Sequence, residues 1–356
     1  MKRSIFWIMI GGVIFIGISL YVLLQAADIP NRANNGFTRN YLEHYSQPNE
    51  QQSISDRIVK ISGVTDSEIY FSGGDPRWIM KYDYSLNLKD TVLFGIAYSE
   101  RLRDPGIYVD SPDVYMYGME ISYLLKGSLD AFLLDTLKLE TDLITRVAQI
   151  SSDKLAIRGL DSTQARQVFK IMSAKSGKVI RQHDIFPEQQ FGGFEKDGRM
   201  KYDSRTKCLY FAQMYQNGIY CMDTMLNLKY ISRTIDTAIV NEVEIGMQDE
   251  NGVTKIVPKK PRQIVNKDLD VFNGVVFILS GLKADNETYA EFSKICAIDM
   301  YNGENGRYIG SITIPTWKNK RLKEFKVYNN NLIALYEGGN CSIFKLNDRV
   351  LREIYF

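Results

Sequence analysis

Histidine is scarce in this sequence, and the scarcity limits the chemistry that the chain can perform. Only His44 and His183 occur among the 356 residues. A zinc site built from several imidazoles is therefore excluded. A serine hydrolase triad would have to use His183 as its base, but no serine lies in a Gly-x-Ser-x-Gly sequence. We expect His183 to be an ordinary exposed turn residue.

Motifs for phosphate and nucleic-acid binding are also missing from the sequence. Neither Gly-x-Gly-x-x-Gly nor Gly-x-x-x-x-Gly-Lys-Ser/Thr occurs. The formal net charge is +2 with 24% charged residues, so there is no basic excess of the kind that binds nucleic acid. The basic cluster at residues 259–262 could meet an anionic partner, and a solvated loop is the simpler interpretation.

The four cysteines raise the question of disulfide formation. Cys208 and Cys221 flank a predicted hairpin and stand symmetrically about its centre. Side chains that face each other across neighbouring strands can form a disulfide, and two buried free thiols are the other possibility. Cys296 and Cys341 lie in successive repeats and are not expected to pair.

A repeated strand ending marks the elements that would position any functional residue. An apolar strand stops at Asp, Asn or Ser, a turn follows, and another strand begins. This ending occurs at Asp83, Asp135, Ser173, Asp223, Asp299 and Asn347. Six copies over about 300 residues correspond to about 50 residues each, which is the size of one four-stranded propeller blade. We expect the polar residue to cap the turn by accepting a hydrogen bond from a backbone amide two residues further on.

The repeats predict an all-β, six-bladed β-propeller of four-stranded antiparallel blades, with one transmembrane helix before it. Residues 57–356 would form the propeller, and the polar residues 28–56 would be a linker. The predicted blades span residues 57–94, 105–143, 144–186, 191–237, 264–314 and 322–355. Residues 350–355 would be the last strand, and almost no helix is expected outside residues 4–45.

A polar insertion at residues 238–262 separates the fourth and fifth predicted blades. Two alternating segments flank Asn251-Gly252, and an Asn-Gly turn between such segments is a strong hairpin signal. Because loops carry binding functions more often than blade cores, this insertion is the first candidate for contact with a partner. The candidate partner-binding residues are Val243, Ile245, Lys255, Lys259, Lys260 and Arg262.

The repeats resemble those of the six-bladed TolB-like or NHL-like propellers, in particular exported bacterial members. Gly177, Gly303 and Gly306, each in the turn before an apolar strand, match best. The resemblance extends over residues 57–356. It implies a fold and no particular reaction, since that group contains lactonases and other enzymes as well as pure binding modules.

The same resemblance keeps a calcium site in the central channel open as an alternative. Lactonase-type propellers hold such a cation with Asp, Glu and Asn from the inner strands, and calcium needs only oxygen ligands. The acidic residues near predicted inner strands are Asp66, Glu68, Asp110, Asp113, Asp153, Asp268 and Asp270. Their spacing forms no calcium-binding loop, so we expect solvated carboxylates, no cofactor and no catalytic residue.

The amino-terminal segment is strongly apolar. Residues 4–24 are 21 positions without a charge, which is long enough to cross a bilayer as a helix. We predict an uncut signal anchor over residues 1–27, with a cleaved secretory signal as the alternative, because Lys2 and Arg3 precede the run and Ala26-Ala27 offers a cleavage site. A leading apolar segment normally exports the rest of the chain. The body would then lie outside the cytoplasm, in a bacterial periplasm.

Two functions from different classes follow from these features. The first is a membrane-tethered, extracytoplasmic binding or scaffold module that presents loops to a protein, a peptide or a carbohydrate. The second is a divalent-cation-dependent hydrolase of the lactonase type with its site in the central channel. Because the sequence contains no motif for a nucleophile, a base or a metal, it favours the first.

Overall fold

Six antiparallel blades make up the second of the two compact units into which the chain divides, Met1–Asn34 and Asn35–Phe356. The computed structural model describes residues 11–12, 14–22, 35–96, 103–119, 122–140, 143–161, 166–186, 189, 191–238, 245–250, 253–258 and 263–355. The strands are β1 Tyr41–His44, β2 Glu50–Ser53, β3 Ile58–Val64, β4 Ile69–Gly73, β5 Trp78–Tyr82, β6 Leu88–Leu93, β7 Arg103–Asp110, β8 Asp113–Met119, β9 Tyr123–Ser128, β10 Asp135–Lys138, β11 Leu143–Ser151, β12 Lys154–Asp161, β13 Arg166–Ser173, β14 Val179–His183, β15 Gly198–Asp203, β16 Cys208–Gln213, β17 Gly218–Asp223, β18 Leu228–Arg233, β19 Ile245–Glu250, β20 Val253–Pro258, β21 Asn266–Phe272, β22 Val275–Ser280, β23 Ile295–Asn302, β24 Tyr308–Pro315, β25 Leu322–Tyr328, β26 Asn331–Tyr336 and β27 Asn340–Lys345.

The blades follow one another along the chain and close into a ring. Blades 1 to 5 are formed by β3–β6, β7–β10, β11–β14, β15–β18 and β21–β24, in which each strand pairs with the next. Innermost strands of neighbouring blades contact each other, and β25 of blade 6 returns to β3 of blade 1; blades 2 and 3 meet through β8 and β11. The predicted all-β, six-bladed propeller of four-stranded antiparallel blades is confirmed. Such a ring buries the faces between blades and leaves only short edges.

The sixth blade takes its outermost strand from the other end of the ring. It consists of β25, β26 and β27, and β2 pairs antiparallel with β27, with Gln51 opposite Ser342. The prediction that residues 350–355 form this strand is wrong, because they belong to a helix, Asp348–Tyr355. The buried Val350 and Ile354 are four residues apart, which is the spacing of one helix face.

A further strand lies outside the predicted blades. β1 pairs in parallel with β24, so the sheet of blade 5 has five strands. Leu42 of β1 is buried in the same apolar cluster as Ile312 of β24. The described part of residues 28–56, which the composition assigned to a linker, therefore contributes β1 and β2 to the propeller.

The repeated polar residue caps the turn that follows the third strand of a blade. In five blades a backbone amide donates to the side chain two residues before it: Ser85 to Asp83, Asp130 to Ser128, Lys175 to Ser173, Met225 to Asp223 and Glu304 to Asn302. In blades 2 and 5 the capping residues are thus Ser128 and Asn302. The copies predicted at Asp135 and Asp299 are out of register, since Asp135 begins β10 and Asp299 lies within β23.

Helix is rare in the described part of the chain. Beside the helix Asp348–Tyr355 there are a 3-10 helix, Phe191–Lys196, and one turn of helix, Tyr289–Phe292, which Thr288 and Glu291 cap. Residues 11–12 and 14–22 of the first unit are helical. Among the residues that the structure describes, no helix combines the length and the hydropathy needed to cross a membrane. The remainder of the predicted anchor lies outside the described residues.

Aromatic side chains fill the space between blades. Phe169 of blade 3 meets Phe211 of blade 4 edge to face, with ring centroids 5.1 Å apart, and Phe186 lies against both. A buried aromatic side chain contributes about 1.5–3 kcal/mol by leaving water. The second strands of the blades supply much of this surface; all six residues of β16 are buried.

All four cysteines are buried free thiols. Cys208 stands opposite Asp223 and Cys221 opposite Tyr210, because the turn between β16 and β17 is centred one residue later than the sequence indicated. The two thiols are therefore diagonal neighbours on one face of the sheet. Burial raises the pKa of Cys221 to about 12, so this thiol stays protonated at neutral pH.

Candidate functional site: the central channel

The six innermost strands each place one residue at an equivalent position beside the central channel. In five of them it directly follows an irregularity in strand pairing, at Ile58/Lys60, Arg103/Gly106, Ile144/Arg146, Asn266/Asp268 and Leu322/Glu324. Bulges of this kind re-aim a side chain. In blade 4 Arg199 occupies the position without a shift. We call the set the ring residues: Lys60, Gly106, Arg146, Arg199, Asp268 and Glu324.

Three cationic ring residues bind the backbone of the next blade. Their charged groups donate to main-chain carbonyl oxygens: Lys60 to Pro105 at 2.8 Å, Arg146 to Gly198 at 2.7 Å and Arg199 to Lys267 at 3.4 Å. Hydrogen bonds from charged groups are stronger than neutral ones. These side chains therefore fasten blade 1 to blade 2, blade 3 to blade 4 and blade 4 to blade 5.

The acidic ring residues also bind the backbone of the next blade, but they accept hydrogen bonds where the cationic residues donate them. Asp268 accepts a hydrogen bond from the amide of Phe325 at 3.2 Å, and Glu324 accepts one from the amide of Ile61 at 2.6 Å. Asp270, two residues along β21, accepts from the amide of Val327 at 2.7 Å. The carboxylates thus fasten blade 5 to blade 6 and blade 6 to blade 1.

Gly106 is the exception among the ring residues because it has no side chain. A Cβ at Gly106 would lie 2.2 Å from the ring of Tyr117, so the tyrosine fills the place that the ring residue leaves open. Blade 2 consequently presents an aromatic side chain where the other blades present a charge.

The ring residues surround a cavity of about 120 Å³, and Tyr108, Lys201 and Lys326 also line it. Burial raises the pKa of Asp268 and of Glu324, and Arg199 and Lys201 oppose that shift. Burial also raises the pKa of Tyr108 to about 12, with Asp110 adding to the effect. The tyrosine is therefore a neutral hydrogen-bond donor at physiological pH.

The structure brings only part of the predicted acidic set to the channel. Of the seven residues, Asp268 lines the cavity and Asp270 adjoins it. Asp110 ends β7 and Asp113 begins β8. The other three lie at turns, where Asp66 accepts from Tyr328, Glu68 pairs with Lys81 and Asp153 pairs with Lys175. Within the described ranges, no three His, Cys, Asp or Glu side chains are grouped so that they could hold a metal ion.

Sequence reasoning missed Glu324 and all the cationic residues of the channel. The signal that could have found them is positional, since each ring residue stands near the start of the first strand of its blade. The residue types do not reveal this equivalence, because Lys, Arg, Asp and Glu at this position all bind the backbone of the next blade.

The two histidines lie away from the channel. The Nδ1 atom of His183 is 2.9 Å from the carbonyl oxygen of Leu226, and the Nδ1 atom of His44 is 2.9 Å from the hydroxyl of Thr313. Neither histidine lines the central cavity. His183 is half-buried at this contact, where the sequence indicated an exposed turn residue.

The predicted insertion forms a hairpin of its own. β19 pairs antiparallel with β20, with Ile245 opposite Pro258 and Gln248 opposite Lys255. Of the candidate partner-binding residues, Ile245 and Lys255 lie in these strands, and their side chains are outside the description. Val243, Lys259, Lys260 and Arg262 lie outside the described residues.

The connections of the propeller differ between its two faces. In blades 1 to 5 the turns from first to second strand and from third to fourth strand are short, and they share one face. The opposite face carries the links between blades and the turns from second to third strand. Its longest connections are residues 184–197, 234–265 and 281–294, and the hairpin belongs to the second of them.

Comparison with known proteins supports the fold and assigns no function. No protein-family model matches the chain, and no curated protein does. The crystal structure of a member of the DUF4221 family from Bacteroides vulgatus is similar with a TM-score of 0.53 and 12% identity, covering 84% of this chain and 96% of that one. A streptogramin B lyase has a TM-score of 0.49 at 10% identity, covering 84% and 97%, and BamB from Moraxella catarrhalis 0.42 at 11%, covering 81% and 85%. The strand pairing and the contacts between blades make this chain a six-bladed β-propeller.

Proposed function

We propose that this protein is a binding or scaffold module without catalytic activity, which engages a protein, peptide or carbohydrate partner. The observation that carries the proposal is the asymmetry of the two faces. The face of the long connections also carries the hairpin of β19 and β20, and the ring is closed without this hairpin. Loops on a rigid scaffold are the usual location of binding residues.

The side chains that line the channel favour a binding module over a cation-dependent hydrolase. A divalent cation would need the carboxylates of Asp268, Asp270 and Glu324, and each of these already accepts a hydrogen bond from a backbone amide of the next blade. Nearby Lys and Arg side chains would repel the cation. A cation-dependent lactonase-type hydrolase, the alternative, would have to give up contacts that hold the ring together.

We further propose that residues 4–24 tether the propeller to a membrane and that its body lies in the periplasm. The absence of charge over these positions supports the tether. The full chain is expected to stay with membranes after a high-salt wash and to keep its first residues when the amino terminus is sequenced. A mature amino terminus at Ala27 or Asp28 would instead identify a cleaved signal.

The contribution of the hairpin to partner binding can be tested by deleting it. Replacing residues 243–257 by a short Gly-Ser link should reduce recovery of the partner from detergent-solubilised membranes by at least about tenfold. A tenfold loss of affinity corresponds to about 1.4 kcal/mol of binding free energy. The midpoint of thermal unfolding should not change, because the innermost strands close the ring without the hairpin. Quantitative mass spectrometry of co-purified proteins measures the first effect and circular dichroism the second.

A charge-matched pair of variants controls for loss of basic side chains. Alanine at Lys259, Lys260 and Arg262 is compared with alanine at three exposed basic residues of blade 3: Lys175, Lys178 and Arg181. Only the first variant should lose the partner. Unchanged recovery after removal of the hairpin would eliminate it from the binding surface, and calcium-dependent turnover of lactones by the wild type would overturn the non-catalytic function.

A further inference from the structure

A group of basic side chains lies on the face of the long connections, where blades 5 and 6 meet. We call this group the basic corner, and it consists of Lys267, Lys294, Lys318, Lys320 and Arg321. The amide of Thr316 donates to the carbonyl oxygen of Lys294 at 2.8 Å, which joins the turn before β25 to the connection 281–294. In the ranges that the structure describes, none of the five side chains takes part in an ion pair.

Arg321 is the half-buried part of the basic corner. Its guanidinium carbon lies over the ring of Phe292, 4.9 Å from the centroid. Its Nε atom is buried and has no hydrogen-bond partner among the described residues, whereas buried polar atoms normally have one. Burial lowers the pKa of Lys267, and the nearby Arg321 lowers it further. Two cations so close together repel each other, and an anion between them would relieve that repulsion.

Lys318 and Lys320 are the exposed part of the basic corner, and a tight turn holds them. The amide of Trp317 donates to the carbonyl oxygen of Lys320 at 3.1 Å, and the amide of Lys320 donates back at 2.8 Å. Lys318 and Asn319 at the tip have φ angles of 48° and 64°, a region that a lysine rarely adopts. A tryptophan beside exposed lysines is typical of protein surfaces that lie at the interface of a bilayer.

Glu291 and Glu337 lie beside the basic corner and neutralise it only in part. A carboxylate oxygen of Glu291 accepts the amide of Thr288 at 2.8 Å, in the cap of the helical turn Tyr289–Phe292. Glu337 is exposed, and its amide donates to the carbonyl oxygen of Arg321 at 3.4 Å. Two carboxylates against five cations leave an excess of positive charge on this surface.

The chain enters the propeller next to this surface. The amide of Asn35 donates to Asp285 at 2.8 Å, and its side-chain amide donates to the carbonyl oxygen of Lys283 at 2.8 Å. Both partners belong to the connection 281–294, which also supplies Lys294. Only residues 25–34 separate Asn35 from the apolar run at residues 4–24, and ten residues span at most about 36 Å. A membrane that holds the apolar run is therefore within reach of the basic corner.

We propose that the basic corner docks on the phosphate groups of an anionic bilayer, the membrane to which residues 4–24 tether the chain. This inference rests on the proposed tether. Each Lys or Arg close to an anionic surface strengthens binding by roughly fivefold, and salt screens the attraction. Docking of this corner turns the face of the long connections towards the bilayer. The partner of the hairpin would then be met at the membrane surface.

The test is quenching of a fluorescent label on the full chain in lipid vesicles. Ser293→Cys places the label beside Lys294, and Ser85→Cys places it on an exposed turn of blade 1 at the opposite face. The four native thiols are buried, so the introduced cysteine reacts selectively. Nitroxide groups on the lipid headgroups should quench the label at residue 293 in phosphatidylcholine with one third phosphatidylglycerol, and not in phosphatidylcholine alone. The label at residue 85 should be quenched in neither.

A charge-matched pair of variants isolates the basic corner. The first carries glutamine at Lys294, Lys318 and Lys320, and the control carries glutamine at three exposed basic residues of blade 3: Lys175, Lys178 and Arg181. Loss of three charges from the corner should weaken docking by about a hundredfold and abolish quenching at residue 293. The control should be quenched like the wild type. Circular dichroism checks that both variants are folded.

Failure of the tether and failure of the docking surface give different results. A chain that high salt washes from neutral vesicles has no tether, and the basic corner should then hold it on anionic vesicles at low salt only. Equal quenching at residue 293 in neutral and anionic vesicles would overturn the inference in favour of an acidic protein partner. Quenching that survives the glutamine substitutions at Lys294, Lys318 and Lys320 would overturn it as well.

Discussion

Replacing Arg39 by alanine is expected to lower the free energy of unfolding by about 3–5 kcal/mol, the usual cost of removing one partner from a buried ion pair. The guanidinium donates to Asp299 at 2.8 Å and to Glu287 at 2.8 Å, and its side chain is 0% exposed. It also donates to the carbonyl oxygen of Leu282. Without it, two buried carboxylates lose their counter-charge and β1 loses its anchor on blade 5. Chemical denaturation followed by tryptophan fluorescence measures the change.

The matched control is Arg77→Ala, which removes an arginine paired with Asp75 at the surface, where the side chain is 49% exposed. Exposed ion pairs contribute about 0–1 kcal/mol, because water screens them. Arg39→Lys should fall between the two variants, since an ammonium keeps the charge and cannot bind both carboxylates in the same way. Equal losses in Arg39→Ala and Arg77→Ala would contradict the anchoring role.

The second large effect is expected at Gly339 of blade 6, which lies against the connection between β2 and β3. Gly339 has a φ of 66°, and a Cβ there would lie 1.5 Å from the carbonyl oxygen of Ser55. Its own carbonyl oxygen accepts the amide of Ile54 at 2.9 Å. Gly339→Ala therefore forces one of two backbone segments to move, and we expect a loss of about 3 kcal/mol or more in unfolding free energy.

Gly74→Ala supplies the comparison for this substitution. A Cβ at Gly74 would meet no atom within 4 Å, so the change should stay within about 0.5 kcal/mol. Differential scanning calorimetry of both variants gives the two values under the same conditions. A small effect at Gly339 would mean that the segment around Ser55 is not held against blade 6.

Most of the blade order could be predicted because it depends on local signals. A strand that ends in Asp, Asn or Ser and a capped turn involve neighbouring residues only, as at Asp83 and Asp223. The closing strand β2 gives no such signal. Its four residues are all exposed and polar, because its place at the edge of blade 6 depends on backbone pairing with β27 and not on buried side chains. The composition of this segment is therefore the same as that expected of a linker.

The channel could be predicted even less well from the sequence. Arg199 and Asp268 have opposite charges and the same structural task, so no pattern of residue type connects them. The equivalence depends on the irregular pairing that precedes most ring residues, and the shift at Asn266/Asp268 is a property of the folded sheet. Electrostatic roles of this kind become apparent only when neighbouring blades are placed side by side.

The pairing of β1 and β2 has a consequence for how the chain is synthesised. β1 finds its partners at residues 311–313 and β2 at residues 340–343, so both strands leave the ribosome long before the residues that they bind. Contacts between residues far apart in sequence form slowly, and strands without partners are prone to aggregate. β1 therefore cannot pair until blade 5 has been synthesised, and β2 cannot pair until blade 6 has been synthesised.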